Sequence, residues 1–142
     1  MAVNPRQDQL QELVEISGSP DDGPVVMLNL NRYREQAAYE ADPPGGVSAD
    51  VSGHEAYQRY SAVALQILER EHGRVVWHTT SPGTVIGGDS ERYHEVIAVE
   101  YPSVQAFLAL AMDPAILEAM AHRSAGLEQA TIIRCAPGHG LV

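Results

Sequence analysis

The stretch SGHEAYQRYSAVALQILEREHGRVVWHTT, residues Ser52–Thr80, joins a helix to a strand in one continuous reading. Ser52 followed three residues later by Glu55 is a capping box, the pattern that satisfies the free N–H groups of a helix start. Tyr57, Tyr60, Ala64, Ile67 and Leu68 then recur at the spacing of one helix face. Gly73 marks the expected stop, because glycine takes the left-handed conformation that ends helices. RVVWHTT, from Arg74 to Thr80, is rich in β-branched and aromatic residues and predicts a strand.

Reading upstream, Gly23-Pro24 opens VVMLNLN, a strand over Val25–Asn31. Before it, Asn4 as cap and Pro5 at the first position predict a short helix whose apolar stripe is Leu10, Leu13 and Val14. Ser17-Gly18-Ser19-Pro20 ends it. Downstream, Pro82-Gly83 interrupts the second strand, which Thr84-Val85-Ile86 is expected to resume past a bulge. Tyr93 to Tyr101 is a third strand. Pro102-Ser103 starts a helix that Asp113-Pro114 restarts, with Ile116, Leu117, Met120 and Leu127 as its stripe. Thr131 to Ala136 is the last strand. Residues 32–52, with Pro43-Pro44-Gly45-Gly46 at their centre, carry no periodicity. They read as a loop expected to lie over a pocket as a mobile lid, since long structureless loops are commonly functional.

The order is one helix, then β-α-β-β-α-β. That split βαβ pattern predicts an α+β, ferredoxin-like fold. Its antiparallel sheet should have the order 4-1-3-2, with both helices on one face. The chain is read as a single domain. Residues 1–23 are an N-terminal helical extension, 24–136 the ferredoxin-like core and 137–142 a loose tail.

Composition narrows the function classes. The 142 residues are 44% hydrophobic and carry a formal net charge of -10. Such a charge repels phosphate backbones and anionic lipid, so neither nucleic acid nor membrane is an expected partner. No apolar run approaches the ~20 residues of a spanning helix. The N-terminus has no signal-peptide pattern, and the lone Cys135 suits a reducing cytoplasm. The six histidines show no HxH or HExxH spacing, and neither Gly-Gly pair sits in a strand–GxGxxG–helix setting. No metal or bound cofactor is therefore expected.

Four segments carry a resemblance to a known family. PVVMLNLNRYR, GHEAYQRYSAVALQILEREHGRVVW, VIGGDSERYHEVIAVEYPSVQAF and DPAILEAMAHR resemble the family catalogued as domain of unknown function 1330, from about Pro24 to Ala136. Gly73-Arg74-Val75-Val76 and Glu100-Tyr101-Pro102-Ser103 are its most telling pieces. The resemblance implies a dimeric α/β barrel, in which two sheets face each other in a homodimer. That superfamily includes cofactor-free monooxygenases, heme-degrading monooxygenases, polyketide cyclases and muconolactone isomerases, so no single reaction transfers with the fold.

Topology sorts the polar residues by the end of the sheet they occupy. If the end where the first strand finishes is the top, then Asn29, Asn31, Tyr57, Tyr60, Trp77, His78, His94, His122 and Arg123 gather there. Glu100 and Arg134 lie at the bottom and are expected to pair. By alternation, Val26, Leu28 and Leu30 are expected to face the helices, and Asn29 and Asn31 the partner's sheet. The candidate catalytic residues are His78 and His94, whose imidazoles can move a proton, and Tyr57. The candidate substrate-binding residues are Asn29, Tyr60, Trp77 and Arg123. Together they suggest a metal-free enzyme of isomerase, cyclase or cofactor-free oxygenase type, acting by acid–base chemistry on a small, partly apolar molecule. The alternative is a non-catalytic ligand-binding or structural homodimer, and heme held by a histidine is a third reading.

Overall fold

In the computed structural model, which describes residues 2–138, the order of elements is α1 (Gln7–Ile16), β1 (Val25–Tyr33), α2 (Gly53–Arg70), β2 (Arg74–Thr80), β3 (Glu95–Tyr101), α3 (Val104–Ala111), α4 (Pro114–Gly126) and β4 (Leu127–Cys135). The four strands form one sheet in the order β2-β3-β1-β4, with every neighbouring pair antiparallel. This is the expected ferredoxin-like βαββαβ arrangement, the order 4-1-3-2 read from its other edge. The expected tail lies mainly beyond residue 138 and so outside the described residues. Among the described residues, no single helix is long and apolar enough to cross a membrane.

The helix ends follow local chemistry. Ser52 Oγ accepts the Glu55 N–H at 3.1 Å, Ser103 Oγ accepts that of Ala106 at 3.0 Å, and Asp113 Oδ1 accepts that of Ala115 at 2.8 Å. The first helix starts two residues later than expected. Arg6 is its cap, with its N–H bonded to Gln9 Oε1 at 2.8 Å. Asn4 is drawn away by Arg123 Nη1, 3.2 Å from its Oδ1. At the end of α2 the left-handed residue is His72, at φ 62°, not Gly73. Gly73 is small for another reason: a Cβ there would lie 2.8 Å from Glu100 O and 2.3 Å from Leu68 Cδ1.

The alternation of β1 is inverted relative to the sequence reading. Val25 and Met27 are buried against Ile67, Leu68, Val104, Leu110 and Ile116 of the helices. Period two then places Asn29, Asn31 and Tyr33 on the helix side as well, and Val26, Leu28 and Leu30 on the open face. β1 is a central strand with apolar residues on both faces, so its polar positions did not mark the outer one. Two further expectations change with the register. Glu100 lies opposite Val26 on the open face and pairs with Arg74 at 3.1 Å. Arg134 lies opposite Met27 on the helix side and pairs with Glu12 of α1 at 3.3 Å, so Glu100 and Arg134 do not meet. Thr84–Ile86 forms no strand; the irregularity in β2 falls at Val76 instead.

One close crossing sets the top of the molecule. The Arg34 N–H bonds Gly126 O at 2.8 Å, and the Gly53 N–H bonds Arg34 O at 3.0 Å. A Cβ on Gly126 would lie 2.3 Å from Gly53 O, and one on Gly53 2.2 Å from Arg34 O. Both positions need glycine because three backbones meet there. The crossing holds the end of β1 against the first turn of α2, which brings Tyr33 to His54.

Candidate functional site

Tyr33 ends β1 just past a register shift between Arg32 and Tyr33. Its ring is buried, 4.8 Å from that of His54, 5.3 Å from Tyr57 and 6.2 Å from His94, centroid to centroid. The Tyr33 hydroxyl donates to Glu95 Oε1 and accepts from Asn31 Nδ2 at 3.3 Å. Burial, and then the Glu95 carboxylate, push the Tyr33 pKa far above that of a free phenol. The phenol therefore keeps its proton and stays a donor to Glu95.

Glu95 opens β3 opposite Asn31, on the helix side of the sheet. His94, one residue earlier, is fixed on three sides. Its N–H bonds Asn31 O at 2.7 Å, its carbonyl accepts the Ser81 N–H at 2.9 Å, and its Nδ1 accepts the Tyr33 N–H at 2.9 Å. Since Nδ1 is an acceptor, the neutral ring carries its proton on Nε2 and offers it as a donor. His78 of β2 brings Nδ1 to 3.7 Å from Glu95 Oε2; its side chain is 65% exposed and that of Glu95 only 13%.

Tyr33, His54, His94 and Glu95 border a cavity of about 730 Å³ at the top of the sheet, lined also by Arg34, Glu35, Gln36, Ser52, Thr80, Arg92 and Glu128. Its charged groups include Arg34 and Arg92 facing Glu35, Glu95 and Glu128, which suits a neutral polar ligand better than a strongly anionic one.

The segment 34–52 begins as one wall of this cavity and then departs from the structureless lid expected of it. Ala37 bonds Val51 O and Ala38 bonds Ala125 O, both at 2.9 Å. Arg59 Nη1 reaches Ser48 O at 2.7 Å and the Tyr39 hydroxyl at 3.1 Å. The segment is thus fastened to α2 and α4. Its bonds run partly to other elements and partly across the segment itself, which leaves no periodicity in its own sequence to read.

That fastening carries a pH dependence. His122 of α4 is 7% exposed, and its Nδ1 lies 2.7 Å from the Tyr39 hydroxyl. Burial lowers its pKa below the ordinary 6.5, and the nearby Arg59 charge lowers it further, against a smaller opposite effect of Glu118. The folded chain therefore takes up this proton at lower pH than the unfolded chain does. The stability involved is complete above about pH 6.5 and is lost as pH falls through the folded-state value. Melting temperature should decline on acidification below pH 6.5, and His122→Gln should flatten that part of the profile. An unchanged slope in the variant would assign the decline to other groups.

A second, mostly apolar cleft of about 90 Å³ runs between α2 and the sheet, lined by residues that include Asn29, Tyr57, Tyr60, Ile97, Val99 and Leu110. Burial, chiefly, pushes the Tyr57 hydroxyl up to about 12, so it too remains protonated at neutral pH. Of the residues singled out from sequence, Asn29, Tyr57 and Tyr60 line this cleft, His94 lines the larger cavity, and His78 stands beside Glu95. Trp77 pairs with Ala98, the partner of Leu28, and so lies on the opposite, open face. Arg123 is engaged by Asn4 and borders neither cavity. Tyr33, Glu95 and His54 were not singled out. A signal for Glu95 existed: period two along β3 places it on the same face as Ile97 and Val99.

Residues 47–135 match the family described as domain of unknown function, DUF1330. The chain belongs to the DUF1330 family. Among curated proteins nothing matches. RPA0582, a protein of unknown function from Rhodopseudomonas palustris, is 33% identical over 97% of this chain and 98% of its own, with a TM-score of 0.81. The structure of its methylated form gives 34% identity over 99% and 98%, with a TM-score of 0.82. The likeness to RPA0582 runs over nearly the whole of both chains. A hydroxynitrile lyase from Passiflora edulis is 13% identical over 84% of this chain and 98% of its own, with a TM-score of 0.54, a likeness of fold alone.

Proposed function

We propose that this DUF1330 protein is a metal-free small-molecule enzyme that moves a proton on an enolisable carbonyl compound bound in the larger cavity. The observation that carries the reading is that Tyr33 orients both halves of an acid–base pair. Its hydroxyl holds one oxygen of Glu95, and its backbone N–H fixes the tautomer of His94. Glu95 Oε2 is the base. It takes a proton from the carbon beside the carbonyl; the C–H electron pair becomes the C=C bond of the enolate, and the C=O π pair moves to the oxygen. His94 Nε2–H holds the resulting enolate oxygen, and the proton returns at carbon. The exposed His78 beside Oε2 exchanges that proton with water.

The reading is tested by proton exchange at the α-carbon of methyl ethyl ketone in deuterated buffer, followed by nuclear magnetic resonance. The protein should accelerate exchange well beyond buffer alone. Exchange no faster than in buffer containing an equal concentration of Glu95→Gln would remove the proposal.

We also propose that the open sheet face pairs with a second copy of the chain. Val26, Leu28, Leu30 and Ala98 form its centre, with Trp77 and Ile133, each about half exposed, beside them. The β2–β3 connection folds over the top of the same face. Arg32 holds Arg92 O at 2.7 Å and also Asp89 O, Gln129 Nε2 holds Ser90 O at 2.9 Å, and the Tyr93 hydroxyl meets Thr131 Oγ1 at 2.7 Å. The same connection carries Val85 and Ile86, which are 98% and 92% exposed and extend the apolar surface.

A further inference from the structure

Three tyrosines meet around the cleft between α2 and the sheet. Tyr57 and Tyr60 reach it from α2, with ring centroids 5.4 Å apart, and Tyr101 reaches it from the end of β3. Tyr101 is 6% exposed and packs its ring edge-on against Phe107, 5.2 Å between centroids. Among the described residues, neither the Tyr60 nor the Tyr101 hydroxyl has a hydrogen-bond partner, and the only fully enclosed side-chain polar atom without one is Gln129 Oε1. The two hydroxyls are therefore not sealed in the core; they open into the cleft that their side chains line. Burial pushes all three phenols up, Tyr57 to about 12, so each keeps its proton and is a donor at neutral pH. Tyr60, and then Tyr57, also raise the Tyr101 pKa, which makes the three oxygens electrostatic neighbours. Asn29 spends its amide nitrogen on Met27 O and Ile97 O, so it presents an acceptor oxygen, and the three phenols outnumber it as donors. Apart from Ser61 the rest of the lining is apolar, and none of it is charged.

From this we propose that the cleft is a second binding site, separate from the larger cavity, for a small neutral molecule that carries an acceptor oxygen on an apolar body, such as a cyclic ether or a compact ester. The separation follows from the linings. No residue borders both cavities, and the Tyr33 and Tyr57 rings pack between them, 5.3 Å apart. An acceptor is called for because a hydroxyl buried without a partner destabilises a core, and phenylalanine at positions 60 and 101 would fill the same space without that cost. Neutrality is called for because an anion would lose its hydration with no cation in the lining. Arg123, whose charge is felt at Tyr57 and Tyr60, does not border the cleft. An apolar body suits Leu68, Val75, Ile97, Val99 and Leu110, against which water would lie unpaired. The volume of about 90 Å³ is smaller than the ~150 Å³ of a cavity that holds benzene. It limits the molecule to about half a dozen non-hydrogen atoms. The site stands apart from the reaction proposed for the larger cavity, and a probe that cannot enolise tests it alone.

Tetrahydrofuran is titrated against the protein carrying carbon-13 in its tyrosine rings, and the six tyrosine signals are followed by magnetic resonance after assignment by single phenylalanine substitutions. The Tyr60 and Tyr101 signals should move and saturate while those of Tyr39 and Tyr93 stay still. Cyclopentane, the same ring without the oxygen, separates the hydrogen bond from the apolar contact. Tyr101→Phe should weaken tetrahydrofuran binding roughly fivefold, the equivalent of one hydrogen bond of ~1 kcal/mol, and leave cyclopentane binding unchanged or tighter. Tyr60→Phe should do the same and serves if Tyr101→Phe fails to fold. Signals that do not move, or that move without saturating, would mean that the cleft holds water only and would overturn the inference. So would shifts confined to Tyr33, which put the probe in the larger cavity. Unchanged tetrahydrofuran binding in both variants, or an equal loss for both probes, overturns it as well, by removing the hydroxyls from recognition.

Discussion

Leu28→Asp is expected to leave the protein monomeric at micromolar concentration by light scattering, with the unsubstituted chain at twice that mass. Leu28 lies mid-way along the central strand, opposite Ala98 on one side and Ile133 on the other. Its side chain belongs to the open face, because Met27 and its period-two neighbours are taken by the helices. A sheet covered on one side leaves this apolar surface in water, and burying it stabilises a pair by ~25 cal/mol per Å² of apolar area. An interface of ordinary size removes ~800 Å² per partner. A carboxylate at its centre, repeated by symmetry in the second copy, loses its hydration and gains no cation. An unpaired buried charge costs on the order of 3–5 kcal/mol, so the dimer's Kd should rise by at least roughly 10²-fold. Far-ultraviolet circular dichroism should be unchanged, because the position is only half-buried in the isolated chain. A dimer that survives the substitution would move the interface elsewhere, and Val85→Asp would then ask whether the exposed β2–β3 connection forms it.

The fold was legible because its decisive signals are local. A cap with an acidic residue three positions on, a five-residue stripe at helical spacing and a run of β-branched residues each report on neighbours in sequence. What was not legible depends on elements far apart. Val25–Asn31 alternates on paper between an apolar even set and an odd set ending in two asparagines, and the asparagines suggest an outer face. The packing decides otherwise, because Val25 and Met27 fit against α2, α3 and α4, and the asparagines follow them inward. There Asn29 Nδ2 donates to Met27 O and Ile97 O, and Asn31 Nδ2 to the Tyr33 hydroxyl, so their burial is compensated. The same inversion concealed part of the candidate site. The clustering of polar groups at the top was readable from topology. Tyr33 was not, since the sequence pattern ends the strand at Asn31 and the residues after it carry no periodicity. Its role depends on the crossing of Arg34, Gly53 and Gly126, three positions spread over more than ninety residues.

Glu95→Gln should lower catalysed α-proton exchange by roughly 10² to 10⁴, the range of positioned general-base catalysis, with little change in ketone affinity. The amide keeps the size of the carboxylate and an oxygen that accepts from Tyr33, so the hydrogen bond to the phenol persists and the fold is undisturbed. What it cannot do is take a proton. His94→Ala should act at the other end of the same reaction by removing the donor to the enolate oxygen, a loss of about 10² to 10³ for one such donor. His78→Ala should cost less than either, because a 65% exposed imidazole beside Glu95 shuttles a proton that water can also carry. Tyr33→Phe separates orientation from chemistry. It retains the backbone N–H that fixes His94 but frees one carboxylate oxygen, so the exchange rate should fall while ketone affinity holds. Equal rates for Glu95→Gln and the unsubstituted protein would show that the carboxylate only anchors Tyr33 and would remove the proposed reaction.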